Sequence, residues 1–234
     1  MNRDNALFLV LGILVGVVAA YPLFETMSSR QPALRLPGQA AAGAAPGTGA
    51  PTGDPPAGGG GAPAMEQIQQ LREHVEANPD DADALLTLAQ LNLSINDLIR
   101  ARTLYERYVK LRPADSTGLL TLANLYFDTR EFAQARDRYL EVLEREPRRP
   151  EVLTDLGVCY RNLGDPQRAV ELFRQARALQ PDMPQALFNE ALVLAVDLAD
   201  FDTAAERLAR LRELQPGNAQ VEELAREIER RRSR

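Results

Sequence analysis

The sequence of 234 residues has no tryptophan, one cysteine and one histidine. Each scarcity removes a class of chemistry. A single thiol cannot form a disulfide within the chain. A lone histidine, with no cysteine pair or second histidine at ligand spacing, leaves no zinc site. A formal net charge of −6, without a basic stripe interleaved with aromatic residues, argues against a nucleic-acid partner. No alternation of apolar and polar residues marks a strand, so no Gly-rich loop can follow one to cradle phosphate; the glycines at 59–61 belong to a linker. Carboxylates are numerous, but they recur at helical spacing on polar faces. The expectation is a protein that is not an enzyme, with no catalytic residues, no metal, no cofactor and no small-molecule substrate.

Four regions follow along the chain. After a tail of residues 1–5, residues 6–24 (ALFLVLGILVGVVAAYPLF) carry no charge. At 1.5 Å per residue this run spans roughly 28 Å, about one hydrocarbon core. Tyr21 would sit at an interface, and Gly12 and Gly16 form a GxxxG pair. The run reads as a signal anchor, a transmembrane helix. A cleaved signal peptide is the alternative, because Val18-Ala19-Ala20 offers small residues for processing. Residues 25–64 are an Ala/Pro/Gly-rich linker with too little apolar bulk to offset the entropy of ordering. The charged residues of 1–64 are Arg3, Arg30 and Arg35 against Asp4, Glu25 and Asp54, which cancel, so the rest of the chain carries the whole formal charge.

Beyond the linker a unit repeats. Prolines stand at Pro79, Pro113, Pro147, Pro181 and Pro216, at a constant spacing except for one extra residue in the last interval. In register with them, one helix carries a small residue at Ala89, Ala123, Gly157 and Ala191. The next carries one at Ala101, Ala135, Ala169 and Ala204, followed four positions later by Tyr105, Tyr139, Phe173 and Leu208. Small residues at facing positions let two helix backbones approach, and each proline stops the second helix. Residues 150–181 show the pattern in full: Leu153, Leu156, Gly157 and Tyr160 line one helix, and Ala169, Leu172, Phe173 and Ala176 the other.

A 34-residue period with these positions resembles the tetratricopeptide repeat family. The resemblance implies an all-α, right-handed superhelical solenoid. Its repeats would be 82–113, 116–147, 150–181 and 184–216, led by a half-repeat helix at 65–79 and closed by a capping helix at 218–232 with Asn218 as N-cap. Three departures stand out. Tyr108 occupies a position where a small residue is usual. An extra residue lies within 195–200. Glu190 falls where the other repeats place Leu88, Leu122 and Leu156, so it needs an Arg partner. His74 is expected to pack inward beside Val75. Cys159, in register with Leu91, Leu125 and Val193, is expected to be a small buried apolar residue.

What the resemblance implies for function is a scaffold that binds a protein or peptide client in a concave groove lined by the first helix of each repeat. By register that lining includes Asp83, Leu86 and Gln90 in the first repeat. The second contributes Thr117, Leu120, Asn124, Phe127 and Asp128, the third Glu151, Thr154, Val158, Arg161 and Asn162, and the fourth Gln185, Phe188 and Asn189. Asn124, Asn162 and Asn189 can hydrogen-bond a peptide backbone, while Leu120, Phe127, Val158 and Phe188 offer apolar contact. Arg161 can pair with a client carboxylate. The Lys-rich carboxylate clamp of chaperone-binding members is not visible, since Thr154 and Val158 stand where it would want Lys or Asn. The anchor plus repeats is similar in arrangement to bacterial inner-membrane proteins with repeats on the periplasmic side. Cytochrome c maturation factors and translocon- or chaperone-associated client handlers are two such groups. A structural subunit of an envelope complex and a cytosol-facing receptor remain as alternatives.

Overall fold

The computed structural model describes residues 61–233. The membrane span read over 6–24 and the linker up to residue 60 lie outside them. Among the described residues no helix is long and apolar enough to cross a membrane.

The described chain is ten α-helices with short connections: α1 Gly61–Ala77, α2 Ala82–Ser94, α3 Leu98–Leu111, α4 Ser116–Asp128, α5 Phe132–Arg145, α6 Pro150–Asn162, α7 Pro166–Leu179, α8 Pro184–Val196, α9 Phe201–Leu214 and α10 Ala219–Arg232. The leading helix begins at Gly61, four residues before the expected Met65. Ala62 and Ala64 favour helix. Pro63 falls in the first turn, where its missing N–H has no intrahelical acceptor to forfeit.

Local chemistry sets the helix ends. Asp81, Asp97, Asp115, Asp165, Asp200 and Asn218 each accept a backbone N–H of the helix that follows. Proline occupies the first turn of α6, α7 and α8. The residues before the period-marking prolines, Arg112, Glu146, Gln180 and Gln215, have ψ of 61°, 72°, 89° and 70°. Steric conflict with the proline ring drives them out of the helical region and ends α3, α5, α7 and α9. Between the paired helices the tight turn needs a left-handed residue, met by Asn96 (φ 59°), Arg130 (φ 61°), Gly164 (φ 86°) and Ala199 (φ 55°).

Each helix packs on the next in sequence, and α6 touches α8 while α8 touches α10. The odd-numbered helices therefore form one layer and the even-numbered ones the other, as a helical repeat solenoid. Ala89, Ala101, Ala123, Ala135, Ala169, Ala191 and Ala204 are all fully buried between the layers. The reason for small residues is most direct at Gly157, where an added Cβ would lie 2.5 Å from Phe173 Cε1. On α10, Val221, Leu224, Ala225 and Ile228 turn inward and close the stack.

One expectation about a single residue changes, and the Arg partner expected for Glu190 is found. His74 does not pack inward: its side chain is exposed, and Nε2 lies 2.9 Å from Asp81 Oδ2. Val75 takes the buried position, and the neighbouring residue on a helix points about 100° away. The extra residue in the fourth repeat does not lengthen α8, which has 13 residues like α2, α4 and α6. It is absorbed after the helix, where Leu198 N donates to Val193 O and Asp200 N to Leu194 O. Glu190 stays at the buried position, fully enclosed, and is held by Arg174, Arg177 and Arg207 at 3.3, 2.6 and 3.2 Å.

Candidate functional site

The even-numbered helices α2, α4, α6 and α8 present one face to their partners in the outer layer and another along the inner side of the stack. On α4, Leu120 and Phe127 are half-buried while Thr117, Asn124 and Asp128 are exposed. Gln90 on α2, Val158 and Arg161 on α6 and Asn189 on α8 are half-buried as well, and Asn162 is exposed. The structure thus leaves this row of side chains open along successive helices.

Two expected lining residues are not on the surface. Thr154 is 2% exposed and Phe188 is 6% exposed. The Thr154 hydroxyl donates to Pro150 O at 2.8 Å and lies 3.6 Å from Met183 Sδ, just ahead of α8. Met183, at the start of the next inner helix, covers Thr154, and α10 packs against α8. The open position is one residue further round, at Asp155 in α6 and Asn189 in α8, both half-buried. Asp155 is therefore an open inner-layer residue that the sequence reading missed. Its signal was present: it stands in register with Asn189, which the same reading selected.

Other expected contacts are already in use. Arg161 is not free for a client carboxylate, because its Nε donates to Asp197 Oδ2 at 2.6 Å. The Asn162 amide donates to Val158 O of its own helix at 2.8 Å. Asn124 Oδ1 accepts from the Tyr139 hydroxyl at 2.9 Å. That bond carries the phenol of an outer-layer helix through to the inner surface. Phe127 sits against Tyr139 and Phe132 edge to face, with ring centroids 6.3 and 5.7 Å apart.

The electrostatics of this patch are unusual for a surface. Burial, with Asp128 and Glu151 adding repulsion, pushes the Asp155 carboxyl up to about 7. Loss of hydration among its neighbours pushes Asp128 up to about 6, although its residue surface stays exposed. Burial, then the charge of Asp155, raises the Cys159 thiol to about 12, which makes it inert rather than nucleophilic. Tyr139 is likewise raised well above its ordinary value by burial and by Asp155. Neither Asp128 nor Asp155 makes a hydrogen bond or an ion pair among the described residues. Among those residues no group of three or more His, Cys, Asp or Glu is placed to hold a metal ion. The patch offers an open, partly aromatic surface with carboxyl groups that no cation of the described residues pairs. Its chemistry is recognition.

A family model described as tetratricopeptide repeat matches residues 66–116 and 120–184. No curated protein matches the sequence. Among solved structures, that of YrrB, described as a TPR protein with an unusual peptide-binding site, is 23% identical and has a TM-score of 0.57. The match covers 71% of this chain and 85% of that one. MamA from Desulfovibrio magneticus RS-1, from residue 41 to its end, is 20% identical with a TM-score of 0.59, covering 67% of this chain and 88% of that one. At these identities the likeness establishes the fold.

Proposed function

This chain is built of tetratricopeptide repeats, and from that premise we propose that it is a scaffold that holds an extended segment of a protein client against the inner face of α2, α4, α6 and α8. The observation that carries the reading is the open row of Leu120, Asn124, Phe127, Asp128, Asp155, Val158 and Asn189 on successive helices. Apolar side chains there supply contact area, and Asn189 can hydrogen-bond an extended backbone without reading its sequence. The peptide-binding site for which YrrB is described is in keeping with this use of the fold.

The finer reading adds a tether. The uncharged run of residues 6–24 supports a single-pass anchor in a bacterial inner membrane, with the repeats on the periplasmic side at the end of the linker. A tethered groove would raise the effective concentration for clients emerging at that surface. Apocytochrome c held for haem attachment, or chains met at a translocon, are the client classes this arrangement suits.

A photo-crosslinking amino acid at Leu120 or Val158, compared with Leu140 on the outer layer, tests the scaffold reading in cells. Client crosslinks from the inner positions alone are the expected result. Crosslinks from Leu140 alone would make the outer layer the working surface and the protein a structural subunit. Mass spectrometry of the crosslinked client separates apocytochromes from translocon clients. Protease accessibility in cells with opened outer membranes tests the orientation.

A further inference from the structure

Apart from the closing helix α10, which carries Arg226, Arg230, Arg231 and Arg232, the two helix layers differ in charge. The inner-layer sequences of α2, α4, α6 and α8 contain Asp83, Asp128, Glu151, Asp155 and Glu190 but only one cation, Arg161. The outer layer holds the arginines, three or more in each of α3, α5, α7 and α9 when Lys110 is counted with them. The chain's own cations do not reach the inner acids. Arg161 is taken by Asp197 at 2.6 Å. The outer arginines near the inner layer converge on Glu190, which is enclosed and turned away from the groove. Asp83, Asp128 and Glu151 remain exposed and Asp155 half-buried on the inner face.

Elsewhere on the surface several acids do have an arginine partner. Arg102 pairs with Glu131 and Glu106, Arg210 with Asp182 and Glu213, and Arg212 with Glu222. Asp128 and Asp155 stand on successive inner helices, and the charge of Asp128 is one of the causes that disfavour charge on Asp155. Such a pair costs free energy in the unbound chain, and a cation seated between them would relieve it. Leu120, Phe127 and Val158 lie in the same row and would pack the aliphatic stem of a long basic side chain.

We propose that the client segment is basic, and that a Lys or Arg side chain of that segment seats between Asp128 and Asp155. This rests on the inner face being the client surface. The occupant follows from charge complementarity: a groove with negative charge, whose one cation Arg161 is taken by Asp197, selects a positive strand and repels an acidic one.

The test uses the full-length protein and a short fluorescent peptide alternating Lys and Ala, with matched peptides carrying Glu or Gln in place of Lys. Wild-type protein is expected to bind the Lys peptide and discriminate against the other two, with affinity falling as salt rises. Asp128→Asn with Asp155→Asn is expected to weaken the Lys peptide roughly tenfold or more. Removing the same charge on exposed sites away from the groove, by Glu144→Gln with Glu223→Gln, is expected to leave binding within about twofold. Leu120→Ser removes apolar contact from the groove and leaves its charge. If the double Asn variant binds as wild type while Leu120→Ser weakens, the groove stands and the basic-client proposal falls. If neither changes binding, the groove reading falls with it. Equal losses in the Glu144/Glu223 control, or equal binding of the Gln peptide, would also overturn the proposal. Both Asn changes relieve repulsion, and a thermal midpoint no lower than that of the wild type certifies that the double variant is folded.

Discussion

The ring of Tyr108 fills the space that a side chain at Gly118 would need: a Cβ there would lie 2.6 Å from Tyr108 Cε1 and 2.8 Å from Asp115 Oδ2. The large residue that breaks the small-residue pattern of the first repeat is thus matched by a missing one in the second. The Tyr108 hydroxyl donates to Asp115 Oδ2 at 2.7 Å, and Asp115 Oδ1 caps α4 through the Thr117 N–H. Gly118→Ala is expected to lose about 2 kcal/mol by overpacking. Tyr108→Ala is expected to lose more, through a cavity and an abandoned hydrogen bond. In the double variant the cost should fall short of the sum, because the new methyl group then enters the space that the tyrosine ring has vacated. Urea unfolding of the three variants measures the coupling.

Glu190 is the most exacting electrostatic site in the chain. A fully enclosed carboxylate holds three guanidiniums, and removing it takes the counter-charge from Arg177 and leaves Arg207 only Glu206 at 3.5 Å. Glu190→Ala should cost about 3 kcal/mol or more. Glu190→Leu restores the residue type of Leu88, Leu122 and Leu156 and should cost less, since apolar packing replaces part of what is lost. Denaturant midpoints at neutral pH distinguish the two.

Asp155 makes stability fall with rising pH. Its folded-state pKa near 7 lies above the ordinary carboxyl value, so between the two the folded chain keeps a proton that the unfolded chain has released. Stability from this group is full below about pH 4 and is lost as pH rises towards 7. The groups that face it are Asp128 on α4, Tyr139 on α5, and Glu151 and Cys159 on α6, with Arg136 opposing at Cys159. Asp155→Asn should raise the thermal midpoint by a few degrees at pH 8 and leave it unchanged near pH 4. A midpoint raised equally at both pH values would mean that the gain comes from packing and not from the proton. Asp128→Asn should act in the same direction over a narrower window, since its pKa is raised only to about 6.

The turn before α9 carries Ala199 at φ 55°, where Gly164 serves the equivalent place between α6 and α7. A Cβ in this conformation costs roughly 1 kcal/mol, and glycine removes the cost at the expense of some unfolded-state entropy. Ala199→Gly should therefore stabilise by about 0.5 kcal/mol, read as a small upward shift in the urea midpoint. The same change at Arg130, φ 61°, should act likewise.

The period of the prolines and the small residues was legible because each acts locally. A proline forbids helix at its predecessor whatever surrounds it, and an alanine between two helices leaves a mark in every copy. The capping residues were legible for the same reason at Asn218. The inner face was less so. Whether position 154 or 155 is open depends on how the next inner helix lies across it, and Met183 decides that from another repeat. Phe188 and Arg161 were misjudged for kindred reasons: the first is covered by packing, the second is held by Asp197 from the following repeat. His74 was misassigned because its partner Asp81 lies beyond the end of the helix, outside any helical period.

The sequence alone therefore determined the helices, their breaks, their pairing and the family of fold, since these rest on backbone sterics and on a pattern that repeats. Tertiary structure decided the surroundings of each side chain. Only packing brings Asp128 near enough to add to the shift of Asp155, turns Glu190 towards three arginines, and ties Arg161 to Asp197. The reason is range: steric and capping preferences act within a few residues, whereas burial and charge depend on neighbours that the fold supplies from one repeat away.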